Sequence, residues 1–289
     1  VRWIRGGGLT TLIFALPMLL GFTIFGWWPI LHGVALSFQS TNLITTQWVG
    51  LENIQGVLQD PLLWQAIRNT GLYALLSVAV GFPIPLIAAA TISELRGRWR
   101  QLGSVLAFLP TVIPPVVTIL LWRRFYSPEP NGVINTVIGW VGLGPVGWLM
   151  EPGWAMPALV IMGIWAGVGT TIIIYLAAMV TIDRELYDAG EVDGCGILRK
   201  VWHIMVPQLR GTILILLLLQ IIGVFQVFTE PYLLTDGGPE NRTITLLMLV
   251  VRRFMRGDYG GAAALSLLLA VVLAALSAVY LRATKRWEA

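Results

Sequence analysis

Residues Thr212 to Leu234 read TILILLLLQIIGVFQVFTEPYLL. A helix needs ~20 mainly apolar residues to cross the hydrocarbon of a bilayer. This run has that length and carries a single acid, Glu230, near its end. Working outward, five further runs qualify, roughly Leu9–Leu36, Thr70–Ile92, Leu102–Trp122, Pro157–Val180 and Gly261–Leu281. Strands of a membrane β-barrel would be ~10 residues of alternating polarity, whereas these runs are continuously apolar. Lipid also requires each spanning segment to satisfy its own backbone groups. The sequence predicts an all-α, polytopic membrane protein with six transmembrane helices in one domain over residues 1–289.

Composition agrees. Apolar residues make up 56% of the 289 residues and charged ones 12%, against about 25% charged in soluble domains. The net charge of +4 does not imply a nucleic-acid partner, because the basic residues flank apolar runs and form no single patch. Cys195 is the only cysteine, which excludes an internal disulfide and a cysteine metal site. His32 and His203 lie far apart, which argues against a metal enzyme. The first run follows Arg2 and Arg5 and continues to about Phe38, well beyond the ~7–15 residues of a signal core. It is expected to be a retained helix that also serves as a signal anchor.

Six spans put both termini on one side. With the N-terminus inside, Arg2, Arg5, Arg96, Arg98, Arg100, Arg184, Arg199, Lys200, Arg210, Arg282, Lys285 and Arg286 fall on inner segments. The rest of the 19 basic residues fall on outer ones, Arg252, Arg253 and Arg256 among them. The excess inside selects N-in, C-in. The outer segments are long. Asp60-Pro61 marks a helix start, and Asp236-Gly237-Gly238-Pro239 marks a turn. Trp27, Trp28, Trp122 and Trp154 lie near outer ends, where an aromatic belt and stacking on a sugar are both open readings. No internal repeat and no inverted symmetry of the secondary-transporter kind is visible.

The fourth and fifth spans are joined by a polar stretch, about 182–210, predicted to be cytoplasmic. Most helix–helix connections take ~2–8 residues, so this one is long for a mere connector. Leu186, Ala189, Val192 and Cys195 fall at three-residue steps, approximating one face of a short helix. Gly194 and Gly196 should end it. Ile197, Val201 and Ile204 predict a second apolar face, which Pro207 stops or kinks.

This stretch resembles the signature loop of ATP-binding-cassette importer permeases: Glu-Ala-Ala, three residues, Gly, nine residues, Ile, any residue, Leu-Pro. Here the pattern falls on Asp188-Ala189-Gly190, Gly194, Ile204, Val206 and Pro207. Asp replaces Glu at 188, Gly replaces Ala at 190 and Val replaces Leu at 206. Gly190 should weaken the first helix by ~1 kcal/mol relative to Ala. Other segments resemble the maltose and glycerol-3-phosphate branch: Trp48 to Asn53, Asp60-Pro61 with Trp64 and Asn69-Thr70, Leu109-Pro110 with Pro114, Glu185-Leu186-Tyr187, and Tyr232 to Pro239.

The resemblance implies a permease subunit in a bacterial inner membrane. It implies that Glu185, Asp188, Ala189, Gly190, Asp193, Gly194 and Pro207 couple the spans to a separate ATPase. It also implies as partners a second homologous permease, an ATPase dimer and an extracytoplasmic solute-binding protein, with lipid around the spans. No cofactor is expected on this chain. ATP and Mg belong to the ATPase, in keeping with the lack of a Gly-x-x-x-x-Gly-Lys-[Ser/Thr] loop here.

A polar residue inside a span is a functional flag. Gln220, Gly223, Gln226 and Glu230 would share one face of a continuous fifth helix, with Phe225, Phe228 and Tyr232 nearby. A translocation pathway lined by Gln220, Gln226, Glu230 and Tyr232 is one reading of this stripe. Interhelical hydrogen bonding, worth roughly 0.6–2 kcal/mol per contact, is the other. Gly163 and Gly167 predict close helix packing, and Pro110, Pro114 and Pro115 predict a kink in the third span. A secondary transporter would need several buried coupling acids, and only Glu230 qualifies. A membrane enzyme would need a catalytic cluster within the spans, and none is visible. Sugars or oligosaccharides are the expected solutes, with glycerol phosphodiesters as a further class.

Overall fold

The computed structural model describes residues 8–42, 44–129 and 132–288. Arg2 and Arg5 of the orientation argument lie outside the described residues, as do the side chains of Lys285 and Arg286. Among the described residues, 5 helices are long and apolar enough to cross a membrane, and one bent pair makes a sixth. The only sheet among them is a hairpin of β1 (Gln39–Thr41) and β2 (Thr46–Trp48).

The chain divides into two compact units, residues 1–63 with 249–271, and residues 64–248 with 272–289. In the first, α1 (Gly8–Phe22), a π-helical turn (Thr23–Trp27) and α2 (Trp28–Leu36) form one span, of which 0% is buried within the chain. The hairpin follows, then α3 (Glu52–Leu58). The Asn53 side-chain amide holds the hairpin by donating to the carbonyls of Ser37 (3.1 Å) and Gln39 (2.9 Å). Asp60 starts α4 (Pro61–Gly81) as expected, its carboxylate accepting from the Leu62 amide at 3.0 Å. The same carboxylate pairs with Arg253 at 2.6 Å, and Arg253 also reaches Asp258 at 2.8 Å.

The second unit is built around α9 (Ala155–Met179), which packs on α5 (Pro83–Glu94) and α6 (Arg98–Val112). Near Ala155, one core gathers Tyr73, Trp122, Tyr126, Trp148, Met156 and Leu159. Near Met179, the other gathers Leu86, Ile172, Tyr175, Val201, Met205 and Leu209. Polar ties join the segments: Tyr126 Oη donates to the Ala158 carbonyl and Tyr280 Oη to that of Leu214, both at 2.7 Å. The Gly- and Pro-rich stretch before α9 is organised by Asn135 on α8 (Val133–Gly139). Its buried amide donates to the carbonyls of Ser127, Glu129 and Val146, and accepts from the Val146 amide and the Trp148 indole.

Prolines decide where the helices bend. The third span is not one kinked helix: α6 and α7 (Pro115–Phe125) meet at 96°. Pro114 and Pro115 carry no amide hydrogen, and Ile113, preceding a proline, is held extended at φ −72°, ψ 127°. Both π turns end two residues before a proline, with Trp28 preceding Pro29 and Val206 preceding Pro207. A proline cannot donate to the carbonyl four residues back. The preceding amide bonds five residues back instead, Trp28 to Thr23 and Val206 to Val201.

Two expectations need correction. Trp122 is only 7% exposed and packs edge-on against Phe125 and Trp165, so it is neither a belt residue nor free to stack on a sugar. Trp27, Trp28 and Trp154 are exposed. On α9, Gly163 is a close-packing position as expected, a Cβ there lying 2.6 Å from the Tyr73 hydroxyl of α4, but a Cβ at Gly167 would meet nothing within 4 Å. The second close approach is at Gly169 instead, where a Cβ would lie 2.5 Å from the Ala107 carbonyl oxygen of α6.

Gly169→Ala should therefore overpack the α6–α9 contact by about 1–3 kcal/mol and lower the melting temperature of the purified protein. Gly167→Ala should leave it unchanged. Equal melting curves for the two variants would refute this assignment.

Candidate functional site

The 182–210 stretch folds as a capped helix followed by a return that is buried along one side. Asp183 caps α10 (Arg184–Val192), its side chain accepting from the Glu185 amide at 3.0 Å. At the other end Gly194 takes φ +69°. Its amide donates to the Glu191 carbonyl at 3.1 Å, and the Cys195 amide to that of Gly190 at 2.8 Å. These paired bonds are a Schellman ending, which needs a left-handed residue where Gly194 stands. The glycine of the signature thus has a local physical cause.

The two faces of α10 differ. Gly190 is buried, and a Cβ there would lie 3.0 Å from Ile204 Cδ1. Gly190 is therefore a close-packing position as well as a weak helix former. Leu186, Ala189 and Val192 point outward, Val192 at 89% exposure. Glu185, Asp188, Asp193 and Pro207 are exposed too.

The return runs through α11 (Ile197–Lys200), the π turn Val201–Met205 and α12 (Val206–Gln208) to α13 (Arg210–Phe225). Of the expected Ile197, Val201 and Ile204, Val201 is buried together with Met205 and Leu209, and Ile204 packs against them, whereas Ile197 is exposed. Val201, Met205 and Leu209 recur at four-residue steps and so share one face.

Lys200 was not expected as a site residue. It is 5% exposed. Its ammonium meets Glu94 of α5 at 3.0 Å and Glu191 of α10 at 3.1 Å. Burial opposes the charge, but the two carboxylates outweigh it and hold the ammonium above its ordinary range. Its place beside an apolar stripe was a sequence signal. The Glu94 partner, 106 residues away, was not. These groups line a cavity of about 530 Å³ with Arg96, Arg100 and Arg184.

The fifth span is broken, so the predicted polar stripe is not continuous. After α13 the chain leaves helical geometry at Gln226–Phe228 and resumes as α14 (Thr229–Leu234). The Val227 carbonyl is taken up by the Thr245 hydroxyl at 2.8 Å. Gln220 donates to the Ser77 carbonyl at 2.8 Å, the interhelical bond of the second reading. It also lines a cavity of about 330 Å³ with Tyr73, Ser77, Gly163, Gly167 and Thr171. Gln226 is exposed and reaches back to the Ile222 carbonyl at 3.3 Å. Glu230 is half-buried. Tyr232 stacks on Phe228 at 4.9 Å and lines a separate cavity of about 520 Å³ with Arg123 and Asp236. The four predicted pathway residues thus do not converge on one cavity. Tyr73, Ser77 and Thr171 are lining residues that the sequence did not single out.

Comparisons with known proteins agree with this architecture. The chain is 31% identical over 272 residues to the lactose transport system permease protein LacF of Rhizobium radiobacter, covering 92% of this chain and 90% of that one. It is 31% identical over 299 residues to the sulfoquinovosyl glycerol transport system permease protein SmoG of Agrobacterium fabrum, covering 97% and 93%. A solved bacterial ABC transporter involved in import of the acidic polysaccharide alginate superposes with a TM-score of 0.86 at 27% identity, over 99% of both chains. The same kind of transporter, in complex with an alginate pentasaccharide-bound periplasmic protein, gives 0.84 at 27% identity, over 99% and 96%. Residues 81–288 match the family model of the binding-protein-dependent transport system inner membrane component, and the chain belongs to that family of transport permeases.

Proposed function

We propose that this chain is the permease of an ATP-driven importer of sugars or oligosaccharides, lying N-in and C-in, with α10 docking on a separate ATPase subunit. The observation that carries the docking is the two-sided character of α10. One face is fixed to the bundle through Gly190 and Glu191, and the other presents Leu186, Ala189 and Val192 outward. An exposed apolar face on a rigid, capped helix fits a helix-in-groove contact. Glu185, Asp188 and Asp193 would supply its polar rim, while Gly194 and Pro207 shape the turns on either side of the return. ATP and Mg would sit on the ATPase dimer. A second permease and a solute-binding protein would complete the machine, and the whole chain would act as one permease domain in lipid.

The sugar class rests on the relatives' solutes, lactose and sulfoquinovosyl glycerol among them. Within the membrane, the pathway would pass the break at Gln226–Phe228. Irregular backbone at membrane depth is tolerated where it lines a cavity, and transporters place binding groups at such breaks. Gln226, Glu230 and Tyr232 flank this break and Gln220 lies below it, offering donors, acceptors and an aromatic face to a polyhydroxylated solute.

Proline cannot adopt the positive φ of Gly194, so Gly194→Pro should destroy the end of α10. The ATPase should then no longer co-purify with the permease, and ATP-dependent uptake in vesicles containing the complete transporter should fall at least tenfold. Normal co-purification and uptake would refute docking through α10, and uptake without ATP would indicate a secondary transporter. For the pathway, the Gln226→Ala, Glu230→Ala double variant should lose uptake at wild-type membrane levels while keeping its ATPase. Unaltered uptake kinetics would exclude these residues.

A further inference from the structure

The Lys200 cluster connects two parts of the chain that any docking mechanism must link. Glu191 belongs to α10, the proposed docking helix, and Glu94 is the last residue of α5, the inner half of the second span. Lys200 stands between them, at the end of α11, with its side chain enclosed. A carboxylate at a helix C-terminus faces the negative end of the helix dipole. No base lies in the last turn of α5, so Lys200 supplies the missing charge from outside the helix. The first residues after Lys200 are anchored as well, since Val201 and Met205 pack in one core with Leu86, Ala89 and Ile92 of α5.

We propose that Glu191–Lys200–Glu94 is a strut that transmits displacement of α10 to α5, so that Lys200 positions the spans during transport. The inference rests on the docking role of α10. The ion pairs resist the relative motion of α10 and α5 in a direction that apolar packing alone does not, because buried charges lose their only compensation when separated. Along a strut the links are in series. Cutting the Glu94 end, the Glu191 end or both should then have the same effect on coupling. Links that merely added stability would instead lose independent increments.

The test uses the complete transporter in vesicles and measures solute imported per ATP hydrolysed, together with ATPase retained on the purified permease. Glu94→Ala, Glu191→Ala and the double variant should each lower the ratio by about the same factor, at least fivefold, with ATPase retention in Glu94→Ala within twofold of wild type. Lys200→Arg, which keeps charge and reach, should keep the ratio, and Lys200→Met should behave as the double variant. Where Lys200→Met is absent from the membrane, the two glutamate variants still decide, because each leaves Lys200 one partner. An unchanged ratio in Glu94→Ala, or losses that multiply in the double variant, would overturn the strut. Lost ATPase retention in Glu94→Ala would overturn it too, since the residue would then be shaping the docking surface. If the wild-type chain itself retains no ATPase, the docking reading fails first.

Discussion

Backbone amides and carbonyls have no water to turn to in hydrocarbon, so every interruption of a helix within a span must find an internal partner. The points at which this chain bends follow from that constraint. At Pro29 and Pro207 the preceding residue reaches five residues back, and the helix widens rather than breaks. At Pro114-Pro115 the missing donors are consecutive and no such adjustment is available, so α6 and α7 turn through 96°. At Gln226–Phe228 the break lies just before Pro231, which cannot donate to the Val227 carbonyl four residues back, and that carbonyl is held instead by the hydroxyl of Thr245. The hydroxyl of Thr245 thus compensates the unwound segment there, beside Gln226.

The same economy explains the 182–210 stretch. A connector of this length would ordinarily be mobile, because ordering each residue costs roughly 1–2 kcal/mol of backbone entropy. Here the ordering is offset at several levels. Asp183 and the Schellman ending at Gly194 close both ends of α10. Gly190 lets α10 sit against Ile204. Val201, Met205 and Leu209 bury themselves with α5 and α9. The stretch is thus part of the bundle, and the outward face of α10, with Leu198 and Trp202 of the return, remains without a covering element among the described residues. A helix held this way can be pushed, whereas a flexible loop would absorb the displacement.

Much of this was legible in the sequence, for a physical reason. Apolar runs report lipid exposure directly, so five spans lie close to where the hydropathy places them. Glycines with a backbone cause, such as Gly194, and caps such as Asp60 depend only on near neighbours. What was not legible depends on distance in the chain or on absent donors. Lys200 reads as one base among several until Glu94 is brought beside it. Trp122 reads as an interfacial residue until Phe125, Tyr126 and Trp165 enclose it. The polar stripe on the fifth span assumed a constant helical register, which the break at Gln226 removes. Gly167 and Gly169 look alike in sequence, and only the path of α6 distinguishes them.

The placement of breaks and ties bears on how such a chain could move. Rigid helices joined by packed cores shift between discrete arrangements rather than deforming continuously. In this protein the second core joins α5, α9 and the return of the 182–210 stretch into one block, with Lys200 pinned across it. The bend between α6 and α7 and the unwound segment between α13 and α14 lie away from that block, where φ and ψ can change without breaking regular helix. Force applied to the outward face of α10 would therefore move the block as a unit and be taken up at those two irregular joints. The second of them is the joint whose flanks carry Gln226 and Glu230, so a displacement begun at the proposed docking helix would be expressed where the polar side chains of the fifth span stand.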